Sequence, residues 1–495
     1  MTTRIFPALA ALLVLAGPAP ATAQTLASSE QIERLDEIFR DFDSAASPGC
    51  AVATARNGTT LVERAWGMAD LEHGIANHAG TIFEAGSVSK QFAAAAIVLL
   101  AMDGALSLDD DVRDYVPEVP DYGTPITIHQ MMTHTSGLRD WGSVASISGW
   151  GRGARTHDHD HVVDLLSRQS ALNFEPGDQY SYSNSGYNLM AVIVDRVSGM
   201  SFAEFSRTRI FEPLGMHDTQ WRADYRTIVP GRSSAYSPRG RGFAINIPIE
   251  HVHGNGGLLT TVADLLTWNE HLRTGTPWGP QFMDMMHRRG VLNDGETIHY
   301  AGGLQFGTRR GHPQITHTGA TSGYRAYLGL FPEEGLSVAL LCNVTSANPG
   351  GLGGSVADVF LPAGEEQADA ATGTVEDPAS IDVLDGTGEW IAQEGAGAGI
   401  PSSRTMVDVS DPEAYVGSYH SDDAEVTLRV TLEEGRLVLH RRPATRMTLN
   451  PQDEADTFQA SLGTIRFIRG PDGTVNEFSV SQARVFDLRF HRVDD

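Results

Sequence analysis

Ser87 and Lys90 stand three residues apart in FEAGSVSKQF. At the start of a helix, that spacing puts both side chains on one face. A serine hydroxyl is a weak nucleophile until a base takes its proton, and a partly buried lysine can serve. The helix N-terminus adds N–H groups and a positive dipole, which suit an oxyanion. Tyr182-Ser183-Asn184 follows in FEPGDQYSYSNSGY. A phenol beside a lysine ammonium loses its proton more readily and can act as a general base. Asn184 has the amide to hold both the lysine and the acyl side of a substrate. His317-Thr318-Gly319-Ala320 comes later. Gly319 permits close backbone approach, and the Ala320 N–H offers a second oxyanion donor beside that of Ser87. Singly these triplets are weak signals. Their order along one chain points to acyl transfer through a covalent serine intermediate.

The elements that must position these groups are readable in outline. An Ala-rich helical run starts at Ser87, and residues 24–45 carry apolar positions at helical spacing. Residues 49–68 predict a hairpin turning at Asn57-Gly58. Strand patterns return at 324–331 and 336–344, so His317-Thr318-Gly319 falls just before a strand. Early strands, a helical middle and late strands predict one α/β (α+β) domain over residues 24–360. Its antiparallel sheet is flanked by helices and closed by both chain ends. Residues 361–415 hold twelve acidic residues against Arg404 alone, so 361–414 reads as an acidic linker. Residues 415–495 alternate apolar and polar positions between turns, which predicts a small antiparallel β-barrel-like domain.

The chain has 495 residues and a formal charge of −26. That charge repels phosphate backbones and anionic lipid surfaces, so nucleic acid and membrane are poor partners. Residues 1–23 carry Arg4, a short apolar run and Ala21-Thr22-Ala23, the pattern of a signal peptide. The mature chain is therefore expected to be periplasmic or secreted, with no membrane anchor. Two cysteines exclude a disulfide scaffold and any multi-cysteine metal site. Cys50 and Cys342 sit in apolar strand patterns and are expected as buried free thiols, with a cross-strand disulfide left open. The His157-Asp158-His159-Asp160-His161 run lacks the spacing of a metal site and reads as a solvated helix start. No G-x-S-x-G elbow occurs, which argues against an α/β-hydrolase. No metal and no cofactor are expected.

The ordered set S-x-x-K, Y-x-N and H-x-G resembles the serine hydrolases that include class C β-lactamases, penicillin-binding DD-peptidases, D-aminopeptidases and related esterases. ITIHQMMTHTSGL, FEPLGMHDT and GNGGLLTTVADLLTW support the resemblance across residues 28–350. The 415–495 segment resembles the lipocalin-like module appended to some of these enzymes. The resemblance implies a β-lactamase/transpeptidase-like fold. It makes Ser87 the acylated nucleophile, Lys90 its proton partner and Tyr182 the general base and acid. Asn184 would orient Lys90 and substrate, and His317 and Gly319 would line the substrate site. The Ser87 and Ala320 N–H groups would form the oxyanion hole. Many β-lactamases carry lysine where His317 stands. A neutral histidine weakens carboxylate recognition, with Arg325 as a candidate substitute for the charge. The expected activity is cleavage of amide or ester bonds in a small peptide, ester or β-lactam-like substrate. The alternatives are a penicillin-binding or cell-wall-binding protein with slow turnover, or a true β-lactamase.

Overall fold

The computed structural model describes residues 26–362 and 411–494. The expected signal segment and nearly all of the expected linker lie outside the described residues.

β1 (Cys50–Arg56) and β2 (Thr59–Trp66) form the expected hairpin. Its turn residues Asn57 and Gly58 have φ of 49° and 76°, the left-handed pair that matches strand twist. Four further strands follow the helical middle: β3 (Gln305–Arg309), β4 (His312–Thr321), β5 (Tyr324–Phe331) and β6 (Leu336–Cys342). They make one antiparallel sheet in the order β3-β4-β5-β6-β1-β2, so pairing of β6 with β1 closes the domain through both ends. Residues alternate between two faces. Cys50, Val52, Val338 and Leu340 pack toward α1 (Ser29–Ile38) and the helix Pro349–Phe360. Ala51, Ala53, Ala339 and Leu341 pack toward α2 (Lys90–Met102) and its neighbours. α2 is buried from Lys90 through Leu100, as expected of a helix apolar on all sides.

Two expectations change. Cys50 and Cys342 are not free thiols: they face each other across β1 and β6 and are joined by a disulfide. Their sequence separation of 292 residues hides a juxtaposition that strand register creates. His317-Thr318-Gly319 lies inside β4, not before a strand. Pro313 and Gly319 lower the strand propensity of that segment, yet it pairs with β3 and β5 on both sides.

The C-terminal unit is a nine-stranded antiparallel sheet. Its members are β7 (Gly417–Ser421), β8 (Val426–Glu433), β9 (Arg436–Arg441), β10 (Thr445–Thr448), β11 (Asn450–Pro451), β12 (Thr457–Ala460), β13 (Gly463–Arg469), β14 (Val475–Gln482) and β15 (Val485–Val493). The two edge strands, β10 and β11, are consecutive in the chain with Leu449 alone between them. The sheet therefore curls back on itself as a nearly closed barrel. Tyr419, Phe467, Phe478 and Phe490 fill it, and Val144 and Ile147 of the larger domain join the same apolar cluster. Among the described residues no helix is long and apolar enough to cross a membrane.

Candidate active site

Ser87 sits in a tight 3-10 turn, Gly86–Ser89, that feeds α2. Gly86 has φ of 51°, and a Cβ there would lie 2.5 Å from the Ala320 nitrogen. A Cβ on Gly319 would lie 2.1 Å from the Ala85 carbonyl oxygen and 3.0 Å from the Ser87 nitrogen. Two glycines thus let β4 press against the nucleophile turn, bringing the backbone of Ala320 to that of Ser87. This is the close approach a two-donor oxyanion hole requires. The Ser89 hydroxyl donates to the Gly86 carbonyl at 2.5 Å and accepts from the Leu258 N–H at 3.2 Å. Below the turn, Arg222 Nε donates to Glu84 at 2.8 Å, with both side chains at most 1% exposed. Glu250 accepts from Arg152 Nε at 3.0 Å and lies 3.6 Å from Arg222. Buried, hydrogen-bonded charges of this kind fix the backbone that presents Ser87.

Lys90 is fully buried, and its three ammonium hydrogens find three acceptors. Nζ donates to Ser87 Oγ at 3.2 Å, to Asn184 Oδ1 at 2.8 Å and to the Asn255 carbonyl at 2.8 Å. The i, i+3 spacing read from the sequence therefore delivers the expected contact. Asn184 opens α3 (Asn184–Ser198), whose N-cap is Ser183. The Asn255 carbonyl carries no sequence signal, because any residue has one.

Tyr182 places its ring 4.7 Å from Lys90 Nζ. Burial drives its phenol well above the ordinary range, while Ser87 and the charge of Arg484 oppose that rise. The His134 ring packs against it, tilted, with centroids 4.3 Å apart. The Ser183 N–H donates to His134 Nδ1 at 3.2 Å, and burial holds the imidazole neutral, well below its usual pKa. Tyr180, the competing tyrosine two residues upstream, is half-buried and sits edge-on to His134.

His317 is fully buried. Its Nδ1–H donates to the Thr318 carbonyl at 2.6 Å, and Nε2 accepts from the Tyr300 hydroxyl at 2.9 Å. Burial, reinforced by the nearby Lys90 charge, pulls its pKa down to about 3. Both ring nitrogens are engaged, so His317 holds Tyr300 and β4 in place beside Tyr182. Arg325 does not supply the missing cation. It is 3% exposed and donates to the Ser322 and Tyr324 carbonyls at 2.9 and 2.7 Å.

Asp140 and Arg484 carry no motif. Asp140 Oδ2 accepts from the Asn184 N–H at 2.8 Å, and the Asp140 N–H donates to the Arg484 carbonyl at 3.2 Å. Arg484 lies in the β14–β15 turn of the barrel, with its guanidinium 4.8 Å from the Tyr182 ring centroid. The barrel thereby contributes to the site. The His157–His161 run lies apart from it. Asp158 caps the helix His159–Ser167, as the acidic pattern suggests. His157 is buried and His159 half-buried, and they bond the carbonyls of Trp150 and His253. No group of three or more metal-ligating side chains is clustered among the described residues.

A sequence profile of the family described as Beta-lactamase matches residues 35–361. The chain belongs to the beta-lactamase family. This family member is 26% identical over 467 residues to penicillin-binding protein 4* of Bacillus subtilis (strain 168), covering 89% of this chain and 94% of that one. It is 32% identical to the D-aminopeptidase of Gluconobacter oxydans (strain 621H), over 61% of this chain and 56% of the relative. Among solved structures, an octameric penicillin-binding protein homologue from Pyrococcus abyssi superposes with a TM-score of 0.59 at 20% identity. That match spans 93% of this chain and 98% of the other, so the two share an overall fold including the C-terminal unit.

Proposed function

We propose that this beta-lactamase family protein is an exported serine hydrolase that cleaves amide or ester bonds through an acyl-enzyme on Ser87. The observation that carries the reading is the Lys90 ammonium, fully buried and 3.2 Å from Ser87 Oγ. Burying a charge there is costly, its three hydrogen bonds offset that cost, and a buried cation beside a serine hydroxyl marks a candidate reactive centre. Tyr182 reacts from its phenolate form, whose proton has gone to solvent and whose negative charge Lys90 stabilises against the cost of burial. Ser87 Oγ bonds to the substrate carbonyl carbon as its proton passes to that phenolate oxygen and neutralises it. The carbonyl electron pair moves onto its oxygen, between the Ser87 and Ala320 N–H groups. When the bond to the leaving group breaks, Tyr182 returns the proton to it. Water then repeats the sequence and releases the acid.

The substrates we assign are small peptides or esters, including those with D-residues. Relatives named D-aminopeptidase support this class. The neutral His317 argues against a β-lactam carboxylate as the main recognition feature. The Cys50–Cys342 disulfide suits an oxidising compartment, periplasmic or extracellular. A second reading is a penicillin-binding protein with slow deacylation, favoured by the match across 94% of penicillin-binding protein 4*. Burst kinetics on p-nitrophenyl esters, nitrocefin and D- and L-aminoacyl anilides separate the two. Sustained turnover of esters or anilides beyond one equivalent supports the hydrolase. A stoichiometric burst without turnover supports the binder.

A further inference from the structure

Tyr182 lies between cations from two domains. Lys90 of α2 places Nζ 4.7 Å from its ring centroid, and Arg484 of the barrel places its guanidinium carbon 4.8 Å away. Arg484 is 4% exposed, so it is built into the site. Its backbone is fixed independently of its side chain. The Arg484 carbonyl accepts from the Asp140 N–H at 3.2 Å and from Asn173 Nδ2 at 3.0 Å. The next residue but one, Phe486, donates its N–H to Asn173 Oδ1 at 2.7 Å. Arg139 reaches across the same junction to Asp423 at 2.7 Å.

The other groups around Tyr182 carry no charge to rival these two. His134 and His317 are held neutral by burial. Tyr187 of α3, Tyr180 and Tyr300 are phenols raised by burial, as Tyr182 is, and none of them adds a positive charge. We propose that Arg484 is a positioning residue of the proton relay, supplied by the C-terminal barrel to stabilise the phenolate that Tyr182 must be before it accepts the Ser87 proton. The barrel then completes the active site rather than merely flanking it. The inference rests on the acyl-enzyme reading above.

A cation within about 5 Å favours an ionised phenol by a unit or more of pKa. Arg484 lowers the cost of ionising the Tyr182 phenol, so its loss raises the pH at which Tyr182 becomes a proton acceptor. The test is the pH profile of kcat/KM for p-nitrophenyl acetate with the full chain. Arg484→Met is expected to move the acidic limb up by about one pH unit, and Arg484→Lys to restore it. If Arg484→Met does not fold, Arg484→Gln is expected to give the same shift. A limb that stays in place in the uncharged variant overturns the proposal. So does a loss confined to KM for a carboxylate-bearing ester such as mono-p-nitrophenyl succinate, which would make Arg484 an anion anchor. Fluorophosphonate labelling of the parent separates the two levels. An unlabelled Ser87 defeats the acyl-enzyme reading, and a labelled Ser87 with an unmoved limb defeats only the role of Arg484.

Discussion

Tyr300 donates its hydroxyl hydrogen to Nε2 of His317 at 2.9 Å. The opposite nitrogen faces the Thr318 carbonyl at 2.6 Å, and a carbonyl only accepts. His317 is therefore the neutral Nδ1–H tautomer, wedged between β4 and Tyr300. Protonation would make Nε2 a donor, oblige the Tyr300 hydroxyl to turn and accept, and add a second cation to a buried site near Lys90.

A stability signature follows from that neutrality. Burial and Lys90 depress the folded pKa of His317 to about 3, against 6.5 unfolded. Between those values the unfolded chain binds a proton that the folded chain refuses, so stability rises with pH. The contribution is complete above pH 6.5 and is lost as pH falls toward 3. His317→Gln should flatten the urea-midpoint profile between pH 6 and 4 by about 1.4 kcal/mol per pH unit. An unchanged slope in the variant would show that His317 protonates within the folded protein.

Gly319 is predicted to be intolerant of a single methyl group. Its Cβ would meet the Ala85 carbonyl oxygen at 2.1 Å, and backbone cannot step aside as a flexible side chain would. Gly319→Ala should push β4 off the nucleophile turn and misplace the Ala320 N–H. Loss of one oxyanion donor costs about 10²–10³ in kcat. Steady-state ester hydrolysis measures it, with thermal melting run alongside. Near-parental kcat would show that Ala320 is not an oxyanion donor.

The junction between domains depends on a buried ion pair. The Arg139 and Asp423 side chains are 2% and 10% exposed and meet at 2.7 Å. Asp423 also accepts from the Ser170 N–H at 3.1 Å and hydroxyl at 3.0 Å. Asp423→Ala strands the Arg139 charge and should destabilise the chain by about 3–5 kcal/mol in urea unfolding. The double variant Arg139→Leu/Asp423→Leu should lose less, because no charge is left buried alone. Equal losses in the single and double variants would mean that the pair is not desolvated in solution.

The chemistry was legible in the sequence where residues near each other in the chain act together. Ser87 and Lys90 meet because helical spacing brings them together, and Asn184 was reachable because its triplet comes in order. The disulfide was not legible, since only the β1–β6 register places Cys50 opposite Cys342. The strand holding His317 was obscured by Pro313 and Gly319, although Gly319 is what allows β4 to approach Ser87. Tyr300, Asp140 and Arg484 had no pattern to find, and His134 lies within ITIHQMMTHTSGL, which assigns it no role. Each is a single residue brought to the site by packing between distant segments, and Arg484 comes from another domain. The Asn255 contact is a backbone carbonyl, which no side-chain motif can announce.

The central claim is that Ser87 is the acylated nucleophile, activated by Lys90 and Tyr182. Incubation with a fluorophosphonate probe, followed by peptide mapping by mass spectrometry, tests it most directly. The account predicts one adduct per chain on the peptide containing Ser87, and none in Ser87→Ala. An adduct on another residue, or ester hydrolysis by Ser87→Ala at the parental rate, would contradict it.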